Sequence, residues 1–117
     1  MKYLEKENRP WGLFYVLNNE ENYKIKRIEV NPNQRLSYQY HKKRSETWVL
    51  IQGHCIITLD DKDYEFKKGD TIAIDQGVKH RVENIGSEVL VFIEIQTGSY
   101  FGEDDIVRIE DDYNRVK

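Results

Sequence analysis

The sequence predicts an all-β sandwich or barrel, and three observations carry that prediction. Runs rich in Val, Ile, Phe, Tyr and Thr recur at short, regular spacing, polar or glycine-bearing turns separate them, and almost no stretch shows helical periodicity. Both prolines and all seven glycines fall at plausible element edges. At 117 residues the chain is expected to form one domain over 1–117, large enough for one modest core without cross-links.

The elements follow in order. Arg9 to Asn18 holds Pro-Trp-Gly and then Leu-Phe-Tyr-Val-Leu, an aromatic and β-branched run that reads as a strand ending in the polar turn Asn18 to Asn22. Tyr23 to Val30 is the return strand, and Asn31-Pro32-Asn33-Gln34 a turn with proline pre-set for its second position. Leu36 to His41 is the next strand, and alternation puts Arg35, Ser37, Gln39 and His41 on one side. Lys42 to Ser45 reads as a charged loop, followed by Glu46, the strand Thr47 to Gln52 and a stop at Gly53. His54 to Leu59 and Tyr64 to Lys67 flank Asp60-Asp61-Lys62-Asp63 and read as a hairpin. Thr71 to Ile74, His80 to Glu83 and Glu88 to Gln96 complete the strands, with turns at 68–70, 75–77 and 84–87. Beyond Gly102, Ile106, Val107, Ile109 and Tyr113 lie among six carboxylates, and a short amphipathic helix and an extended strap both remain open.

Composition narrows the function. A net charge of −3 gives no basic domain or stripe for nucleic acid. One cysteine, Cys55, excludes an internal disulfide and reads as a small hydrophobe in a strand. The N-terminus lacks the apolar core of a signal peptide, and runs such as Val89 to Ile93 are far shorter than a membrane span, so a soluble, cytoplasmic protein is expected. The charge is uneven: Lys24 to Arg44 carries seven cations against one acid, Glu29. Arg27, Arg35 and Arg44 are the candidates for gripping a phosphate, because the guanidinium fork matches its oxygens. Lys24, Lys42 and Lys43 read equally well as a solvated outer face.

Beside that basic stretch lie Gln39, His41 and Glu46, an amide oxygen, an imidazole and a carboxylate, the mixed donor set that suits a borderline divalent transition metal. His80, between the turn 75–77 and a strand, can supply a second imidazole. Gln39 is the weakest donor of the four, and its alternative role is to steady His41 by a hydrogen bond. His54 has no such frame and reads as structural.

The two stretches resemble the paired motifs of the cupin superfamily. In the first, Gln39, His41, Glu46 and Gly53 hold the motif places; in the second, Gly69, Asp75-Gln76-Gly77, His80 and Asn84 do. Gln39 replaces a histidine and Asp75 a proline. The resemblance sharpens to the type II phosphomannose isomerases at Arg9-Pro10-Trp11-Gly12, Tyr23 to Ile28, Leu36 to His41, Arg44-Ser45-Glu46 and Gly98 to Arg108, although Lys42 and Lys43 stand where that family carries histidines.

Several expectations follow from the resemblance. The fold is a cupin double-stranded β-helix, a jelly-roll barrel, with a short C-terminal strap or helix. The activity is metal-dependent interconversion of mannose 6-phosphate and fructose 6-phosphate through a cis-enediol, with zinc as the leading metal and manganese, cobalt or nickel serving the same donors. The metal would act as a Lewis acid on the sugar oxygens, and a general base would move the proton. Glu94 leads for the base, with Lys26 and a metal-released Glu46 behind it. Arg9 and Arg108 lie in family-like blocks and would close over the phosphate. Trp11, Trp48, Tyr38, Tyr40 and Tyr100 are candidates to stack on the sugar. A homodimer acting on a small-molecule sugar phosphate is expected, with no nucleic-acid or membrane partner. The chain has no Gly-rich nucleotide-binding run, so the isomerase would stand alone without nucleotide transfer. Two alternatives remain: a non-catalytic metal- and sugar-phosphate-binding cupin, and a cupin dioxygenase, which Gln39 disfavours.

Overall fold

In a computed structural model, which describes residues 1–115, eleven strands form two facing antiparallel sheets. In chain order the strands are β1 (Glu5–Arg9), β2 (Gly12–Asn19), β3 (Tyr23–Val30), β4 (Tyr38–Tyr40), β5 (Arg44–Gln52), β6 (His54–Leu59), β7 (Lys62–Lys67), β8 (Thr71–Ile74), β9 (His80–Asn84), β10 (Leu90–Gly98) and β11 (Val107–Glu110). One sheet has the order β1-β2-β3-β10-β5-β8, the other β11-β4-β9-β6-β7. The all-β expectation therefore holds.

Four local expectations are corrected. The first predicted strand is β2, but it starts at Gly12 and not at Arg9: Pro10-Trp11 turns the chain, and Arg9 opposes Gly12 from β1. Leu36 to His41 is extended over only Tyr38–Tyr40, and the supposed loop Lys42 to Ser45 already belongs to β5 from Arg44 onward. The hairpin turn between β6 and β7 is just Asp60-Asp61, both at positive φ (45° and 71°), a conformation that short polar side chains tolerate. Of the two options for the C-terminal stretch, the strap is the one observed: β11 pairs with β4, and no helix occurs among the described residues. None of them therefore forms a helix long and apolar enough to cross a membrane.

The register explains how one barrel holds both a core and a site. Along β3, β10 and β5, inward-facing residues line up in cross-strand rows. At one end these rows read Val30–Leu90 and Ile28–Phe92–Leu50; further along they read Lys26–Glu94–Trp48 and then Gln96–Glu46. The apolar end joins Ile57, Val82 and Cys55 from the facing sheet in a buried core. There burial pushes the Cys55 thiol up to about 12, so it stays a neutral, packed side chain. The polar end of the same inner face is the candidate site.

Candidate metal and anion site

Two imidazoles and a carboxylate converge at the polar end. His41 follows β4, His80 opens β9, and Glu46 points inward from β5; all three are about 3% exposed. Their ligand atoms lie within 4.8 Å of one another. His41 Nδ1 is 2.8 Å from the Asp105 carbonyl and His80 Nδ1 is 3.0 Å from the Val78 carbonyl. A carbonyl only accepts, so each Nδ1 carries the proton and each Nε2 keeps its lone pair. Both Nε2 atoms face Glu46, at 3.2 Å for His41 and 3.8 Å for His80. An imidazole fixed by a carbonyl on Nδ1, with the Nε2 lone pair turned to the cluster, is the usual posture of a metal ligand; at His41 that lone pair accepts from Arg44 Nη2 at 3.2 Å. The residues present therefore fit a divalent ion.

Glu46 is held as a carboxylate. Burial opposes its ionisation, but the adjoining His41 and His80 imidazoles and the Arg44 guanidinium keep it well below the usual carboxylate range. Arg44 Nε donates to Oε2 at 2.8 Å and Trp48 Nε1 donates to Oε1 at 3.0 Å. Arg44, Glu46 and Trp48 alternate on β5, which puts them on one inward face. Burial holds the His80 imidazole below its usual pKa, against the attraction of Glu46, so it stays neutral and available as a donor.

Behind this cluster sits Glu94, 5% exposed on the central strand β10. Burial, reinforced by the Glu46 carboxylate and opposed by Lys26 and Arg44, pushes its carboxyl up to about 7. Gln96 Nε2 donates to its Oε2 at 2.7 Å. An outward-facing Glu94 is thus excluded.

The cavity at this end encloses about 60 Å³. Six cations line it (Arg9, Lys26, Arg44, Arg81, Arg108, Arg115) against the carboxylates of Glu46, Glu94 and Glu103. Three polar atoms of its lining are buried without a hydrogen-bond partner: Ser37 Oγ, Arg44 Nη1 and Arg108 Nε. Two of these belong to guanidinium groups, which only donate, so the site has unspent capacity for a ligand rich in acceptor oxygens.

Of the sequence candidates, Gln39, His41, Glu46, His80, Glu94, Lys26, Arg44, Arg9 and Arg108 all line this cavity. Gln39 is the cross-strand neighbour of His80. Arg27 and Arg35 are not brought here. Arg27 Nε donates to Glu29 at 3.0 Å, and Arg35 grips Asp112 with two hydrogen bonds at 2.6 and 2.8 Å. Among the aromatic candidates, Trp48 stands edge-on to His80 and Trp11 lines the cavity. The Tyr38 hydroxyl instead donates to Asp61, and the Tyr100 hydroxyl donates to Asp104.

Sequence reasoning missed Asp105 and Glu103. The Asp105 carboxylate accepts from the amides of Lys42 and Lys43 while its carbonyl holds His41, which ties the strap to the ligand loop. Glu103 reaches Lys26 Nζ at 3.1 Å. Both lie in the acidic block Gly102 to Asp105, where adjacency to family-like residues was the available signal.

The cupin domain of Cnp3 from Schizosaccharomyces pombe matches with a TM-score of 0.72 at 18% identity, covering 74% of this chain and 64% of that one, a likeness of fold alone. Among sequence relatives, the xanthan biosynthesis protein XanB of Xanthomonas campestris pv. campestris is 41% identical over 108 residues. A mannose-1-phosphate guanylyltransferase of Salmonella montevideo is 40% identical over 107. Each alignment covers 92% of this chain but only 23% of the relative. The expected function, interconversion of mannose 6-phosphate and fructose 6-phosphate, is corrected by these relatives: the activity named for the Salmonella protein is guanylyl transfer, and this chain spans under a quarter of either relative. The family is nevertheless defined, because its sequence model, described as mannose-6-phosphate isomerase C-terminal, matches residues 1–111, and the chain belongs to that family.

Proposed function

We propose that residues 1–117 form one cupin domain that binds a divalent transition metal and a mannose phosphate in a single pocket, acting as a ligand-binding module of mannose-phosphate chemistry. The observation that carries this reading is the pairing of two Nε2 lone pairs and a carboxylate with neighbouring guanidinium groups that have unpartnered N–H donors. His41, Glu46 and His80 would hold the metal, with the Gln39 amide oxygen as a fourth donor. Zinc suits this set best, and manganese, cobalt or nickel are also accepted by it. A bound ion supplies Lewis acidity toward ligand oxygens.

The chain's own residues supply the rest. Arg44, with Arg9 and Arg108, would meet the phosphate, since a guanidinium fork pairs two of its oxygens at once. Glu94, poised near neutrality, can donate to or accept from a sugar hydroxyl in the protonation state the ligand requires. Lys26 supplies further positive charge. The edge strand β1 and the exposed Tyr3 and Leu4 beside it support a homodimer as part of the proposal, measurable by sedimentation. Metal analysis and calorimetry test the central reading. Zinc-loaded protein should bind mannose 1-phosphate or mannose 6-phosphate and ignore unphosphorylated mannose. Equal affinity for mannose and its phosphates would refute it.

A further inference from the structure

Glu103 offers one carboxylate to three cations. It lies 3.1 Å from Lys26 Nζ, 3.9 Å from Arg44 Nη1 and 3.9 Å from Arg9 Nη2. The cations come from separate strands, β3, β5 and β1, which the fold gathers at one mouth. Lys26 is 3% exposed, and it and Arg9 both sit over the Phe14 ring, at 4.1 and 4.9 Å from its centroid. Only Lys26 is within hydrogen-bond reach of Glu103. Arg44 Nη1 is buried and has no hydrogen-bond partner.

Glu7 takes Arg9 Nη2 at 3.1 Å and Glu46 takes Arg44 Nε at 2.8 Å, but Arg44 Nη1 stays unpartnered and Glu103 meets only Lys26, whereas a phosphate brings three free oxygens and about two negative charges. Glu103 is also the one removable piece: its side chain is 39% exposed, while those of Lys26 and Arg44 are 4% exposed. The strap is anchored on both sides of it, at Ser99 N to Lys43 O and through Asp105 to Lys42 and Lys43. A swing of the short turn between these anchors is enough to withdraw Glu103. The cavity it covers, about 60 Å³, is well below the ~300–1,000 Å³ of an ordinary small-molecule pocket.

We infer that Arg9, Lys26 and Arg44 form an anion subsite whose resident occupant is Glu103, and that the phosphate of a ligand binds by displacing this carboxylate. The inference rests on the sugar-phosphate reading of the pocket and adds to it an internal competitor that sets phosphate affinity.

The test uses inorganic phosphate on the full chain at constant ionic strength, with metal content measured in parallel. Glu103→Gln keeps the side chain's size and removes its charge, so phosphate should bind the variant about ten-fold more tightly than the unmutated protein. Adding Lys26→Met should abolish that gain. Equal or weaker binding by Glu103→Gln overturns the inference and leaves Glu103 a structural clamp. Should the variant fail to fold, the unmutated chain still decides: phosphate must shift the Glu103 carboxyl carbon resonance, and saturation without a shift overturns displacement. Metal-loaded protein that ignores phosphate in both forms overturns the subsite but leaves the metal reading standing. Tighter phosphate binding by a variant that takes no metal upholds the subsite and refutes the metal reading.

Discussion

Glu94→Gln in the metal-free protein isolates the cost of holding a carboxyl group in this interior. Glu94 rises from 4.5 to about 7 because burial and the neighbouring Glu46 carboxylate disfavour its charged form. The folded state therefore keeps a proton that the unfolded chain releases. Stability contributed by this group is fully present below pH ~4.5, falls as pH rises and is gone above pH ~7. At 1.36 kcal/mol per pKa unit the loss is on the order of 3 kcal/mol, a large part of an ordinary domain's ~5–15 kcal/mol. Glutamine keeps the shape and cannot ionise. Urea unfolding of both proteins at pH 5 and pH 8, with a chelator present, measures the difference. The variant should gain on the order of 3 kcal/mol relative to the unmutated chain between the two pH values, roughly 10 °C in Tm. Glu46 titrates in both proteins, so its opposite pH dependence largely cancels in the comparison. A variant-minus-parent difference that does not change with pH would refute the account of Glu94.

The other predictions concern the site's framework. His41→Ala and His80→Ala should each abolish tight zinc binding by metal analysis while the far-UV spectrum stays that of a folded barrel, because both imidazoles lie at the polar end and not in the apolar core. Arg44→Met leaves the buried Glu46 without its 2.8 Å partner and should cost ~3–5 kcal/mol in urea unfolding without metal. Saturating zinc should restore part of that loss, since the ion takes over the compensation of Glu46. At Gly98, at φ 149°, an added Cβ would lie 2.2 Å from the Lys43 carbonyl oxygen, so Gly98→Ala should lower Tm by several degrees. It should also loosen the neighbouring ligand loop, seen as faster amide exchange at Lys42 and Lys43.

What the sequence revealed and what it hid have physical reasons. Strict alternation with polar turns located β3, β6 and β8 to the residue, because each has one face on the core and clear stops. β1 was hidden, since Glu-Lys-Glu-Asn-Arg is an almost fully solvated edge strand with no apolar face to betray it. The ligand trio was legible from residue type and spacing, and alternation placed Ser37, Gln39 and His41 on one side. Arg44 was singled out for its guanidinium but assigned to a charged loop; its burial on β5 relies on the Glu46 carboxylate two residues on, with Glu94 and Glu103 nearby. Arg27 and Arg35, phosphate candidates by residue type, do not line the cavity. Strand position does not say which carboxylate lies within reach, and Arg35 is claimed by Asp112, 77 residues away. Glu103 and Asp105 needed the strap's path, which composition alone left open between helix and extended chain.

The most direct test of a joint metal and phosphate site is anomalous diffraction at the zinc edge from crystals soaked in zinc and mannose 6-phosphate. A single strong peak is expected ~2.0–2.2 Å from His41 Nε2, His80 Nε2 and a Glu46 oxygen, with the phosphate among Arg9, Lys26 and Arg44. A zinc peak elsewhere, or density that leaves Arg44 and Trp48 as the sole partners of Glu46 at saturating zinc, would contradict it.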